Sequence, residues 1–192
     1  TLASVRRQIY PNWELCIAVD AHANADLQAL LARHAQAEPR IKVAYLTSTT
    51  ATGALAQLSN HALTMVSSAS KNPSSWVLRI DATDLIANEA INTPTKVINE
   101  GKKCQIIYAD EDVLDALGQR GDPYFKCGWN PDLHLSHNLI GRFGIYRTAL
   151  VQALGGYVDK SATCPDWAAA MDFDLSLRCM AQVPAGQIVH VP

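Results

Sequence analysis

"SWVLRIDATDLIANEAI", residues 75–91, decides the fold, because an apolar run stops at Asp81 and a second carboxylate, Asp84, follows in the next few residues. An apolar run that ends in Asp and Thr predicts a buried strand followed by a polar turn, and the pattern after Asn88 predicts a helix. Asp81 then lies at the carboxyl end of a strand, the edge of an open α/β sheet where ligands bind. Asp and Thr are also ordinary residues of turns and helix caps, so a turn without a ligand is the alternative.

Strand and helix patterns alternate along the first half of the chain. The predicted strands cover residues 14–20, 41–46 and 75–80, and the predicted helices cover residues 4–10, 25–37 and 53–69. Such alternation is typical of parallel strands joined by helical crossovers that cover both faces of a sheet. We therefore expect a doubly wound α/β fold with one largely parallel sheet, and with Asp20 and Asp81 at its carboxyl-terminal edge.

The second half changes in character. Strands are predicted at residues 104–112, 143–148 and 187–192, and a helix at residues 167–182. Between the first two strands, residues 113–141 are rich in turn residues and aromatic side chains, which predicts an irregular segment that lines a surface. A Gly-rich dinucleotide-binding turn and a GxSxG elbow are both missing from the sequence, which argues against Rossmann dehydrogenases and α/β-hydrolases.

Composition narrows the class further. With 192 residues and 48% hydrophobic content, the chain is long enough for one sizeable core. A net charge of −2 predicts no general attraction to nucleic acid or anionic lipid. No apolar run is long enough to span a bilayer and no signal peptide opens the sequence, so we expect a soluble protein. Five scattered cysteines without a CxxC pair favour reduced thiols in a cytosol.

A series of motifs in the second half carries a resemblance. In order, they are Tyr-x-Asp-Glu-Asp (residues 108–112), Phe-Lys-x-x-Trp-Asn-Pro-Asp (125–132), Asn-x-Ile-Gly (138–141), Tyr-Arg (146–147), Gly-Gly (155–156) and Asp-Phe-Asp-Leu-x-Leu-Arg (172–178). This series closely resembles the bacterial family-two glycosyltransferases of the GT-A fold, and the likeness extends over essentially the whole chain. It implies one GT-A-like domain fragment over residues 1–192, truncated at both ends, with a nucleotide-binding half (1–100) and an acceptor-binding half (101–192).

The resemblance also implies roles for individual residues. Asp20 matches an acid that contacts the nucleotide base in the family. Asp81 matches the first acid of the family's Asp-x-Asp motif, which binds the nucleotide and an Mg²⁺ or Mn²⁺ ion. Thr83 stands in place of the second motif acid, and Asp84 matches the neighbour after it. Asp172 matches the catalytic base.

Physical chemistry adds expectations about these positions. Thr83 supplies a neutral hydroxyl, so metal affinity should fall, and Asp84 cannot point in the same direction if the strand pattern continues that far. Asp172 is expected near the start of the predicted helix, where the positive end of the helix dipole keeps it ionised and lowers its basicity. The alternative for Asp172 is that it only caps that helix.

Four residues are predicted on the acceptor side. Asp110 and Asp112 would line it, and Trp129 with Asn130 would shape its loop. For the acids, the alternative is a solvated turn. For Trp129, the alternative is a packing anchor, because this side chain buries a large area wherever it lies.

The implied function is inverting transfer of a sugar from a nucleotide-diphosphate donor to a saccharide acceptor, in cell-surface polysaccharide synthesis. The expected location is the cytoplasm or the inner face of the membrane, and other domains of a longer chain are expected partners. If a central strand is missing, the strand edges that remain unpaired would favour self-association.

Two alternatives remain open from the sequence. The substitutions at Ala21, Thr83 and Met171 favour a catalytically weakened module that binds a sugar nucleotide or docks another domain. A nucleotide-binding enzyme of another α/β family is favoured only by the pattern of the first half.

Overall fold

The structure is a computed structural model that describes residues 1–47, 54–69, 75–101, 103–164 and 166–192. The strands in these residues are β1 (Leu15–Asp20), β2 (Ile41–Leu46), β3 (Trp76–Leu78), β4 (Ile106–Ala109), β5 (Glu111–Leu114), β6 (Arg120–Tyr124), β7 (Gly144–Arg147) and β8 (Ile188–Val191). The helices are α1 (Leu2–Arg6), α2 (Ala25–Ala37), α3 (Ala54–Ala69), α4 (Asn92–Asn99), α5 (Pro131–Ser136), α6 (Thr148–Ala153) and α7 (Trp167–Met180), with a 3₁₀ turn at Ala185–Gln187.

The described strands form three sheets. β1 and β2 pair in parallel. The largest sheet has the order β3-β7-β4-β8, in which β7 runs antiparallel to both neighbours and β8 runs parallel to β4. β5 and β6 form an antiparallel hairpin.

The α/β class is confirmed, and the strand pairing differs from the prediction in two details. β1 and β3 belong to different sheets, and the larger sheet is mixed rather than largely parallel. The cause is β7, which follows the 113–141 segment and enters between β3 and β4 in the antiparallel direction. Sequence alternation predicts crossovers between neighbouring strands, but it does not reveal a later strand that enters between two earlier ones.

Helices cover both faces of the four-stranded sheet, as expected for a doubly wound fold. Ile106 and Tyr108 of β4 belong to a core that includes Leu63 of α3 and Met171 of α7. Ile107 points to the opposite face and joins a second core, against which partly buried residues of α4 pack. The period of two along β4 is what a strand covered on both faces requires.

A third core connects the β1–β2 sheet to the segment around Asp81. Val5, Trp13 and Ile41 are buried in it, and Leu15 of β1 and Ile80 pack against them. Ile80 directly precedes Asp81. This apolar contact therefore fixes the start of the acidic turn against the first sheet.

Predicted element bounds agree best where apolar periodicity is strong. The predicted limits of α2 and β2 match the structure, and α7 ends two residues before its predicted end. Gly53, predicted as the first residue of α3, lies outside the described residues. The 113–141 segment is less irregular than expected, since it contains most of the β5–β6 hairpin and α5. The division into a nucleotide-binding half and an acceptor-binding half stays a prediction.

In the part of the chain that the structure describes, no helix combines the length and the apolar character needed to cross a membrane.

Candidate functional site

The acidic turn at residues 81–84 follows β3 after a short gap. β3 ends at Leu78, and Asp84 folds back so that its Oδ2 accepts the backbone N–H of Asp81 at 2.8 Å. The hydroxyl of Thr1 donates to the carbonyl oxygen of Asp84 at 2.6 Å. Because the strand stops before the turn, alternation of side chains does not reach Asp84. The expectation that Asp84 cannot point in the direction of Thr83 depends on strand continuation and does not apply here.

Two arginines connect the acidic turn to the rest of the site. Arg142 Nη2 donates to Asp81 Oδ2, and also to Asp84 Oδ1 at 3.2 Å. Arg79 Nη2 donates to Asp81 Oδ1 at 2.6 Å, while its Nη1 donates to Asp172 Oδ2 at 2.7 Å. Arg79 therefore brings together the two acids that the sequence assigns to nucleotide binding and to proton transfer.

Asp172 lies inside α7, beyond its first turn. Asp166 holds the N-cap position of α7, so both the cap and the dipole-end placement predicted for Asp172 are wrong. Burial raises the pKa of Asp172, and the nearby Arg79 guanidinium partly offsets that rise. The carboxylate is therefore a stronger base than an ordinary Asp, the reverse of the sequence expectation.

One small cleft is lined by three of these groups. Arg79, Arg142 and Asp172 line it together with Tyr146 and Tyr157. Burial raises the pKa of both tyrosines, so they remain neutral hydroxyls at physiological pH. A cleft lined by two guanidinium groups, the carboxylate of Asp172 and two neutral hydroxyls suits a ligand that carries both phosphate and hydroxyl groups.

Asp20 ends β1 in the smaller sheet. Its Oδ1 accepts the backbone N–H of His22 at 2.7 Å and lies 3.0 Å from His22 Nδ1. These contacts form a local turn after the strand. The role of Asp20 in nucleotide binding stays a prediction.

The predicted acceptor-side residues have structural partners. Asp110 Oδ1 lies 2.7 Å from His190 Nε2, and Asp112 pairs with Arg120 across the hairpin. Trp129 packs edge-on against Tyr108, with ring centroids 6.3 Å apart. Asn130 caps α5 by accepting the N–H of Leu133 at 3.0 Å. Each of these four residues therefore has a structural role. The roles predicted for them in acceptor binding stay predictions.

Sequence reasoning missed Arg79 and Arg142. The signal for Arg79 is a charge inside the apolar run Trp-Val-Leu-Arg-Ile, which a purely structural strand would rarely bury. Arg142 follows Gly141, which adopts a left-handed φ of 66°. Neither signal identifies the partner, because Arg142 is 61 residues from Asp81 in the chain.

The residues present fit a divalent cation only in part. The described residues contain no cluster of three or more His, Cys, Asp and Glu side chains arranged to hold a metal ion. However, carboxylate oxygens of Asp81 and Asp84 converge on one cationic nitrogen of Arg142. Mg²⁺ and Mn²⁺ prefer such hard oxygens and take their other ligands from water and phosphates, so this pair suits a cation shared with a ligand.

Comparison with known proteins now identifies the family. The profile of glycosyl transferase family 2 matches residues 1–155. The chain belongs to this family. The resemblance drawn from the motifs is thereby confirmed.

Two relatives of this glycosyl transferase family 2 chain extend the match. Over 190 residues it is 33% identical to the uncharacterized protein y4gI of Sinorhizobium fredii, covering 99% of this chain and 19% of that protein. Over 155 residues it is 30% identical to the O-antigen biosynthesis protein RfbC of Myxococcus xanthus, covering 81% of this chain and 12% of that protein. The chain thus spans less than a fifth of either relative.

Solved structures share the fold. S. aureus TarS 1-349 superposes with a TM-score of 0.66 at 17% identity, over 99% of this chain and 52% of that one. TarS has also been solved in complex with UDP. The mannosyltransferase PcManGT of Pyrobaculum calidifontis, in complex with GDP-Man and Mn²⁺, superposes with a TM-score of 0.60 at 16% identity, over 100% of this chain and 49% of that one. These neighbours confirm the GT-A-type fold.

Proposed function

We propose that the chain is the transferase domain of an inverting glycosyltransferase that moves a sugar, of hexosyl type, from a nucleotide-diphosphate donor to a saccharide acceptor. The observation that carries the proposal is the Arg79 bridge, in which one guanidinium pairs with both Asp172 and Asp81. The name of the Myxococcus relative supports a place in cell-surface polysaccharide synthesis. The UDP and GDP-Man complexes of the structural neighbours support a nucleotide-linked donor.

Asp172 is the proposed base. Arg79 holds Oδ2, so the carboxylate keeps a fixed direction in the cleft while it receives the proton of the acceptor hydroxyl. The acceptor oxygen bonds to the anomeric carbon as the bond from that carbon to the diphosphate breaks. A single displacement inverts the carbon and needs no nucleophilic side chain. Transfer should decline as the pH falls through the raised pKa of Asp172, because the protonated acid cannot act as a base.

The leaving diphosphate is proposed to lie near the acidic turn. A divalent cation bound there would disperse the negative charge that develops on the diphosphate. Asp81, the acid that the family motif assigns to the metal, would hold it together with Asp84. Arg142, whose side chain is 52% exposed, and Arg79 add two positive charges that pair with phosphate oxygens.

The setting of this activity is also proposed. Cys16, Cys127, Cys164 and Cys179 are free thiols, which supports a reducing compartment, and we place the domain in the cytoplasm or at the inner face of the membrane. The much greater length of both relatives supports further domains as partners in a longer protein.

Nucleotide titration tests the proposal. We expect UDP or GDP to bind more tightly with Mn²⁺ than without it in calorimetry, because cation and diphosphate share ligands at the acidic turn. Nucleotide binding that does not depend on Mn²⁺ would favour the alternative of a catalytically weakened sugar-nucleotide-binding module. The substitutions at Ala21, Thr83 and Met171 favour that alternative too. Absence of binding to both nucleotides would exclude the donor site proposed here.

A further inference from the structure

A charge pair between a buried lysine and a partly exposed glutamate lies behind the loop that carries Arg142. The side chain of Lys126 has no exposed area, and its Nζ donates to Glu111 Oε2 at 3.1 Å and to the carbonyl oxygen of Ile140 at 2.8 Å. Burial lowers the pKa of Lys126, while Glu111 opposes that shift. An ammonium group without exposed area requires such partners.

Glu111 also contacts the loop directly. Its Oε2 accepts the backbone N–H of Arg142 at 3.0 Å. A Cβ built on Gly141 would lie 2.7 Å from both carboxylate oxygens of Glu111 and from Lys126 Nζ. The pair therefore holds the loop on both sides of Gly141. Lys126 donates to the carbonyl of Ile140, and Glu111 accepts the amide N–H of Arg142.

We infer that Glu111 and Lys126 are positioning residues that hold Arg142 over the acidic turn, so that its guanidinium faces the diphosphate of the donor. The inference rests on the proposed function, because it gives Arg142 a phosphate to bind. Neither residue needs to touch the substrate. They act through the backbone of residues 140–142, and the exposed end of Arg142 does the binding.

The competing explanation is that the pair only stabilises the fold. Removing one partner from a buried ion pair leaves the other charge unpaired, which is destabilising whatever the pair does for Arg142. A drop in thermal stability therefore does not separate the two explanations. Dependence on Arg142 separates them, since residues that act through one another have non-additive effects.

The test is a double-mutant cycle with UDP and GDP as probes, each in the presence of Mn²⁺. We expect Arg142→Ala and Glu111→Ala each to weaken nucleotide binding about tenfold, the loss of one good phosphate contact. In the Arg142→Ala background, Glu111→Ala should weaken binding less than twofold further. Glu111→Gln keeps an acceptor for the amide of Arg142 and should bind within about threefold of the parent.

Asp115→Ala is the matched control. Asp115 Oδ1 accepts the N–H groups of Leu117 and Gln119 in the turn of the β5–β6 hairpin, so its loss weakens the hairpin at the end away from Glu111. Nucleotide affinity should remain at the parental value. If Glu111→Ala fails to fold, Gly141→Ala replaces it, because its methyl group displaces the same loop while both partners remain.

Each outcome decides the inference. Parental affinity in Glu111→Ala, or equal weakening in both backgrounds, overturns it. If the parent binds neither nucleotide, the proposed function fails, and the inference fails with it because Arg142 then has no diphosphate to face. If the parent binds and either of the first two outcomes is found, the inference alone is overturned.

Discussion

The cleft lined by Asp172 and the predicted acceptor side around Trp129 are both rich in polar residues, but the partners of those residues differ. In the cleft, Arg79, Arg142 and Asp172 come from distant parts of the chain and meet with partly exposed charged ends. On the acceptor side, Asn130 caps a helix and Trp129 packs against Tyr108. Charges that contact other exposed charges can exchange those partners for a ligand, whereas a cap or a packed ring cannot do so without loss of structure.

The largest expected effect lies in the cleft, at Asp172. Asp172→Asn keeps the shape and a hydrogen-bond acceptor for Arg79 but removes the base, so we expect sugar transfer to fall about 100-fold or more with nucleotide binding retained. Steady-state kinetics measures the loss of transfer, and calorimetry measures whether nucleotide binding is retained.

Asp174→Asn is the control for Asp172, because Asp174 lies on the same helix and pairs with Arg178 at 2.8 Å. It should transfer at near the parental rate. Parental activity in Asp172→Asn would remove Asp172 from the mechanism and reduce the Arg79 bridge to a structural contact.

The next effect lies on the acceptor side and concerns stability. His134 is fully buried, its Nε2 lies 3.0 Å from the Ser176 hydroxyl, and burial lowers its pKa from 6.5 to about 4. The unfolded chain protonates this group first as the pH falls, so stability present above pH 6.5 is lost towards pH 4. Between pH 7 and pH 5 the loss amounts to about 2 kcal/mol.

Urea unfolding at both pH values measures that loss. His134→Gln cannot take up a proton, so its stability should change by about 2 kcal/mol less over this interval than that of the parent. Equal pH dependence in the parent and His134→Gln would contradict the assignment of a buried neutral histidine.

The third effect distinguishes Asp84, in the acidic turn, from Asp20, at the end of β1. Asp84→Asn removes one of the two carboxylates that converge on Arg142, so we expect the gain in nucleotide affinity from Mn²⁺ to fall about tenfold. Asp20→Asn removes the acid at the end of β1 and should leave that gain unchanged, even where it weakens nucleotide binding itself. Calorimetric titration of UDP with and without Mn²⁺ measures both, and an equal loss of the gain in both variants would contradict the distinction.

The sequence predicts the elements of this site better than their arrangement. Apolar periodicity locates β1, β2 and α7, and the family motifs identify Asp81 and Asp172. Arg79 and Arg142 were missed because their importance depends on contacts across 93 and 61 residues of chain, which no local pattern encodes. The direction of the Asp172 pKa was wrong for a related reason: burial depends on how α7 packs, and a motif does not specify packing.

The smallest expected effect tests Asn130, the residue whose predicted acceptor role competes with a cap. Its Oδ1 accepts the N–H of Leu133 at the start of α5, and Pro131 takes the first helical position. Asn130→Ala should cost about 1 kcal/mol of unfolding free energy, and Asn130→Asp should restore most of it, because Asp caps about as well as Asn.

Asn24→Ala provides the comparison. Asn24 caps α2 by the same contact, since it accepts the N–H of Leu27 at 2.8 Å, and it is not one of the residues predicted on the acceptor side. Equal stability losses in the two alanine variants, with transfer rates near the parental value for both, would assign Asn130 to the structure alone. A further loss of transfer in Asn130→Ala that Asn130→Asp does not recover would instead show that the amide group itself serves the acceptor.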